Sequence, residues 1–376
     1  MKKTSAVVLL AAVFLLGTYG TVFAAKKIVR IHSQMPVGHY MTNAVELFMK
    51  EATARSDNTL VFKHYPAQQL YKDKDAVEAI PEGLVEMGMG MNISSWSGKM
   101  SEVNLGVLSS VWKDYDHYVH YLYDYENGGG FNNHLYKLAK EKLNVVCLGS
   151  YPYARNHATI ANTPIKTLDD WKGKKLRVGT KSNAVFLEAM GASTIFMSSS
   201  EVYMAMQRGV IEGAQSGFTS FVSRKWFEVA KYVTDLPCML PEAFYTFVNL
   251  DFWNSLDKKQ RKAIIDAWVI AAKFDEKAAY EDEFKARETL AKNGVEIYEV
   301  PKADELKWKE RATPAIRKNL ILPAVNGDQQ EADKIWAMIE KTRTLPESTD
   351  TPAKFEVPMQ MYDMWYDWLI KEEGLE

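Results

Sequence analysis

Apolar and polar positions change period along the chain, and the changes mark its elements. Residues 27–32 (KIVRIH) alternate as a half-buried strand does, and 43–54 place Ala44, Leu47, Phe48 and Ala52 at helical spacing. A second strand is predicted over 60–65, loop then helix over 69–83, and a third strand over 86–91, followed by Asn92-Ile93-Ser94-Ser95-Trp96. The same order returns in 171–217 (WKGKKLRVGTKSNAVFLEAMGASTIFMSSSEVYMAMQRGVIEGAQSG). There 175–178 is a short strand after the turn at Gly173. Residues 183–190 form a helix with Val185, Phe186 and Met190 near one face, and Gly191 supplies its left-handed stop. Strands are predicted at 194–197 and 210–216. Between them Ser198-Ser199-Ser200-Glu201 has capping-box spacing for a helix carrying Val202, Ala205 and Met206, ended by Gly209. This β-α-β-α-β unit is half of a doubly wound sheet, whose ligands sit beyond the carboxyl ends of the strands. Arg177 and Gln215-Ser216 lie at such ends.

The rest of the chain is read more coarsely. An aromatic helix bearing His117 and His120 is predicted over 114–125, a strand over 145–151, helix over 224–231 and a strand over 243–249. Residues 257–293 keep helical spacing with no internal Gly or Pro. At ~1.5 Å per residue such a helix exceeds ~50 Å. Another strand follows at 295–300, helices at 303–318 and 330–341, a polar loop at 345–357, and an amphipathic helix at 360–371 with Tyr362, Trp365 and Trp368.

A chain of 376 residues is long for one ordinary domain and suits two lobes. Lys+Arg number 46 against 48 Asp+Glu, so there is no basic footprint for nucleic acid. Residues 1–24 have the charged start, apolar core and small-residue end of an export signal, which predicts a periplasmic product. That compartment permits a Cys147–Cys238 disulfide, although the apolar context of both residues suits buried free thiols at least as well. His117 and His120, three apart, lack the further ligands a metal needs, and Gly128-Gly129-Gly130 lacks the Lys-Ser/Thr of a phosphate loop. No metal and no cofactor is expected. Gly-x-Ser-x-Gly, His-Glu-x-x-His and Gly-x-Gly-x-x-Gly are absent, so the chain is read as a non-enzyme, with an exported hydrolase as the minor alternative.

One family shares the ordered motifs of the central stretch. Asp170-Trp171-Lys172-Gly173, Lys175-Leu176-Arg177-Val178, Gly191-Ala192, Ser200-Glu201-Val202-Tyr203, Ala205, Gln207-Arg208-Gly209 and Glu212-Gly213 resemble the periplasmic substrate-binding proteins of TRAP transporters, the DctP type. Gly38-His39, Tyr65-Pro66-Ala67 with Gln69-Leu70, and Glu82-Gly83 with Glu86-Met87 extend the resemblance. It implies an α/β fold of two lobes joined by crossing segments, with a long helix along both. Lobe I would be 26–154 plus 243–282, and lobe II 155–242 plus 283–345; 346–376 would be a C-terminal loop and helix. It also implies a monomer that captures a small organic anion between the lobes and delivers it to TRAP-type permease subunits. A soluble partner of a sensor is the alternative. In that family the arginine matching Arg177 clamps an organic acid, and its fork of donors suits a carboxylate, with sulfonates open. Arg155 or His157 would supply a second contact. Asn92 and Trp96 follow a strand end near the cleft, and Gln215 and Ser216 are polar pocket positions. Phe218 and Tyr245 are expected to wall the pocket, with core packing equally consistent. Ser216 and Ser199 replace an asparagine and an aromatic of sialic-acid-binding members, which argues against sialic acid.

Overall fold

The computed structural model describes residues 26–108, 110–124, 130–154, 156–239, 242–342, 344 and 356–376. The expected export signal, Gly128-Gly129 and Arg155 lie outside the described residues. In chain order the strands are β1 (Lys27–His32), β2 (Leu60–Tyr65), β3 (Met87–Asn92), β4 (Val145–Tyr153), β5 (His157–Ala161), β6 (Lys175–Val178), β7 (Ser193–Phe196), β8 (Gly213–Ser216), β9 (Tyr232–Leu236), β10 (Glu242–Asn249) and β11 (Glu296–Glu299). They form two sheets, ordered β2-β1-β3-β10-β4 and β11-β9-β5-β8-β6-β7.

The repeated pattern in the sequence becomes a repeated arrangement. β1 lies parallel between β2 and β3, and β6 lies parallel between β7 and β8. Both are right for strands linked by helical crossovers. In the second unit the linking helix Lys181–Met190 starts where the Thr180 hydroxyl accepts from Asn183 N (3.2 Å) and stops at Gly191, φ +105°. Only half of the expected capping box at Ser198 forms. Ser198 N donates to Glu201 Oε2 (3.1 Å), while the Ser198 hydroxyl meets Ser200 and Gln68 Oε1 (3.3 Å) of the first lobe. Residues 224–231 are not one helix. Lys225 takes a left-handed φ of 57°, which separates the helix Phe218–Ser223 from a 3-10 turn at Trp226–Glu228.

The chain crosses between lobes four times: from β4 to β5, from β9 to β10, along the helix Lys258–Lys292, and back again at 317–321. This 35-residue helix begins in a capping box between Asp257 and Gln260. Its first part packs on the helix Tyr40–Arg55 and on β4, its last part on Phe218–Ser223 and β11. Ala286 and Leu290 accordingly belong to the second lobe's core, with Ile160, Val202, Ile211, Phe221, Trp226 and Val233. The C-terminal helix Glu356–Glu372 is tied to the first sheet by Trp365 Nε1 donating to the Leu148 carbonyl (2.7 Å). The sequence placed 283–345 in the second lobe. In the structure the end of the long helix, β11 and the helix Lys302–Ile316, which packs on Lys181–Met190, lie there, whereas Leu322–Ala324 and Gln329–Thr342 return to Ser101–Val107 and Tyr115–Tyr123 of the first lobe. A π-turn at Arg317–Ile321, just after Pro314 inside the preceding helix, makes the bend.

Cys147 and Cys238 are both buried and free, and burial pushes each thiol up to about 12. His117 and His120 each face a local carboxylate, Asp114 at 2.8 Å and Asp124 at 3.0 Å. Among the described residues no helix is long and apolar enough to cross a membrane.

Asp275, midway along the long helix, is fully buried, and among the described residues neither carboxyl oxygen has a hydrogen-bond partner. Burial, with Glu276 and Asp282 adding like charge, pushes its carboxyl well above the usual range. The folded state therefore holds this proton more tightly than the unfolded state. Its contribution is complete below the unfolded value of ~4 and is lost as pH rises toward the folded value. Asp275→Asn removes that loss. The variant is expected to be more stable than the parent at pH 8, with a much smaller difference at pH 4. Urea unfolding at the two pH values checks this, and an equal gain at both would refute it.

Candidate functional site

A cavity of about 230 Å³ lies between the lobes. The second lobe lines it from the carboxyl ends of β6, β7 and β8, and the first lobe from the segments after β1 and β3 and the ends of β4 and β10. That is where parallel strands leave their terminal residues free to face a ligand.

Arg177 is the cationic centre of the second-lobe wall. It sits on β6 opposite Ala214 of β8 and is only 7% exposed. Its Nε donates to the Met197 carbonyl (2.9 Å) and Nη1 to the Gln215 carbonyl (3.1 Å), which fixes the guanidinium plane. The Trp226 ring lies 6.0 Å away. Gly179 packs against the guanidinium: a Cβ there would stand 3.3 Å from Nη2 and 3.4 Å from Nη1.

His157, first residue of β5, and Gln215, on the neighbouring β8, line the same cavity. Burial and the charge of Arg177 lower the His157 imidazole to about 3, so it is neutral at physiological pH. Asn183, fully buried in the first turn of Lys181–Met190, donates from Nδ2 to Gln215 Oε1 (2.8 Å) and lies 3.4 Å from His157 Nδ1. Ser216 also lines the cavity, its hydroxyl 2.8 Å from that of Tyr153, which bonds Ser220 as well.

The lobes meet around the cavity. Asn92 caps the turn Ile93–Trp96 through Oδ1 (2.9 Å from Ser94 N) and reaches the Gly179 carbonyl across the cleft (3.4 Å). Lys72 pairs with Glu201 at 3.4 Å, and Arg224 donates to the Gln34 carbonyl at 3.2 Å.

Of the residues singled out from sequence, Arg177, His157, Asn92, Gln215 and Ser216 line one cavity, and Arg155 lies outside the described residues. Three do not reach it. Trp96 is buried in the first lobe, its ring 4.9 Å from Phe247. Phe218 is buried in the second lobe's core under the Arg287 guanidinium, 3.9 Å from its ring centre. Tyr245 faces the core side of β10, stacked on Phe247, while its neighbour Phe244 faces the cavity, as strand alternation requires. Ser199, matched to a family pocket position from sequence, lines the cavity too, whereas Lys72, Lys74, Tyr153, Phe196–Ser198 and Glu201 were not foreseen. Lys72, Met197, Ser198 and Glu201 lie outside helices and strands, where no periodic signal marks them.

The profile described as bacterial extracellular solute-binding protein, family 7 (DctP), matches residues 31–321. The C4-dicarboxylate-binding periplasmic protein DctP of Rhodobacter capsulatus is 28% identical over 256 residues, covering 66% of this chain and 73% of its own. A solute-binding protein of Albidiferax ferrireducens is 24% identical over 309 residues, 78% of this chain and 87% of its own. Among solved structures, the chain is similar to a TRAP periplasmic solute binding protein from Desulfovibrio salexigens with bound orotic acid (TM-score 0.76, 22% identity, 84% of this chain and 99% of that one). It is also similar to one from Sulfitobacter sp. with bound β-D-galacturonate (TM-score 0.73, 23% identity, 85% and 100%). With the match running over most of its length on the same fold, the chain belongs to the DctP family of bacterial extracellular solute-binding proteins.

Proposed function

We propose that this protein works in the periplasm, where it closes its lobes on a small organic anion, a carboxylate first, and delivers it as a monomer to a TRAP-type permease. The observation that carries the reading is the meeting of Arg177, His157 and Gln215 at one wall of the interlobe cavity. Lys72 and Lys74 also line it, against Glu201, and with His157 neutral the lining carries a net positive charge. Such a cleft concentrates anions. Two structural neighbours bind acids, orotic acid and β-D-galacturonate, and one relative is named for C4-dicarboxylates, which supports the same ligand class. Contacts such as Asn92 to Gly179 and Lys72 to Glu201 join the lobes directly, so closure would be a hinge motion stabilised by ligand. No reaction enters this reading, and the ligand leaves unchanged.

A thermal-shift screen over carboxylates, sulfonates and neutral sugars tests it. Ligand at a hundredfold excess over Kd stabilises by about 2.7 kcal/mol, enough to move the melting temperature by several degrees. Organic acids are expected to give that shift, and mass spectrometry should recover them intact. Stabilisation by neutral sugars alone, or turnover of the acid, would overturn the reading.

A further inference from the structure

We propose that Asn183 is a positioning residue that sets the hydrogen-bond polarity of the cavity, turning Gln215 and His157 so that both present N–H donors beside Arg177. The proposal rests on the anion-binding reading and deepens it. The site then favours carboxylates with a second acceptor next to the carboxylate over those with an ammonium there.

Asn183 does not line the cavity; it stands behind the wall, fully buried, held by its place in the first turn of Lys181–Met190. Its Nδ2 donates to Gln215 Oε1 at 2.8 Å and faces His157 Nδ1 at 3.4 Å. Each contact decides what the far end of its partner offers. With its oxygen engaged, Gln215 turns its NH₂ away from Asn183. With a lone pair on Nδ1, a neutral imidazole carries its proton on Nε2. Gln215 Nε2 and His157 Nε2 are both buried without a hydrogen-bond partner among the described residues, and both residues line the cavity. A buried donor left unmade is costly, and the natural partner for each is an acceptor on the ligand. Burial and Arg177 keep His157 neutral, so its ring carries a single proton. The wall thus holds two unpartnered N–H groups near the guanidinium. An oxo group or second carboxylate oxygen completes the set, whereas an ammonium opposes two N–H groups and the Arg177 charge.

The deciding measurement is nitrogen NMR of the His157 ring in the full-length mature protein at pH 7, assigned with a His157→Gln control. The expected spectrum shows a pyridine-type Nδ1 and a protonated Nε2. Asn183→Asp, which when ionised can only accept, is expected to move the proton to Nδ1 or to give imidazolium. An Nδ1–H tautomer in the parent overturns the proposal, because it means Asn183 faces His157 with its oxygen. An unchanged ring spectrum in a folded Asn183→Asp overturns it as well. If that variant does not fold, the parent spectrum alone decides. Binding is read with three matched pairs: pyruvate and L-alanine, oxaloacetate and L-aspartate, 2-oxoglutarate and L-glutamate. In any pair that binds, the oxo acid is expected to bind at least tenfold tighter, and the ratio to shrink in Asn183→Asp; tighter binding of the amino acid overturns the proposal. A protein that bound no organic anion at all would sink the anion reading, and the ring spectrum would still decide the role of Asn183.

Discussion

Arg177→Ala is expected to weaken binding of the ligand acid at least a hundredfold while leaving the fold intact. The guanidinium is held by two main-chain carbonyls, those of Met197 and Gln215, so its position is set by the protein before ligand arrives. A carboxylate closed into the cavity without it keeps its desolvation cost and loses its charge partner. Removing one member of a buried ion pair costs about 3–5 kcal/mol, which is a hundredfold to several thousandfold in Kd. Arg177→Lys is expected to recover little. A lysine has one nitrogen where arginine has three, so it cannot hold two carbonyls and still offer a paired edge to the ligand. Titration calorimetry with the best acid from the screen measures both variants. Parental affinity in Arg177→Ala would remove the clamp from the account.

Gly149→Ala is expected to destabilise the first lobe severely. Gly149 lies inside β4 with φ +125°, a region that residues with a side chain rarely enter. An added Cβ would stand 2.5 Å from Trp268 Cη2 and 2.6 Å from Trp365 Nε1. Neither ring can step aside freely. Trp268 Nε1 is bonded to Thr246 Oγ1 at 3.0 Å and Trp365 Nε1 to the Leu148 carbonyl at 2.7 Å, and both side chains are fully buried. Overpacking of about 1–3 kcal/mol and backbone strain of similar size add to roughly 2–6 kcal/mol. A protein's whole stability is only about 5–15 kcal/mol. The urea midpoint should fall sharply, and an unchanged midpoint would show that the two indoles yield more easily than their hydrogen bonds imply.

What the sequence revealed and what it hid follow from where the signal lives. β1, β2 and β6 were legible to the residue because short β-type runs there are bounded by turn residues. Arg177 and Gln215 were legible as cavity-lining residues because the strand–helix alternation names the strand ends. β10 offered no such guide. Its described side chains are buried or nearly so on both faces, so nothing in the apolar pattern says which face meets the cleft. The register that pairs Phe244 with Asn92 and Tyr151 decides it, and that pairing spans distant segments. Trp96 was misjudged for a similar reason. Within the turn Ile93–Trp96, Ser95 faces the cavity and Trp96 the core, a distinction set by one step of a 3-10 turn. The helix Phe131–Leu143 and the strand β5 were not read at all. Asn183 had helical spacing and so looked like any polar residue of an amphipathic helix. Only the approach of β5 and β8 gives its amide two acceptors.

Because β10 sits between β3 and β4, the first sheet cannot close until residue 249 has been synthesised. Before then β1 to β4 exist as sequence, but β3 and β4 face a gap, with unpaired edges of the kind that recruit foreign strands. The second sheet waits longer, since β11 follows the whole of Lys258–Lys292. Neither lobe is therefore a unit of the growing chain, and both are completed late, by segments made after the bulk of the other lobe. A nascent chain so interleaved stays unfinished through most of its synthesis. That delay suits passage through a membrane in extended form, and it makes the chain prone to aggregate if release is slow.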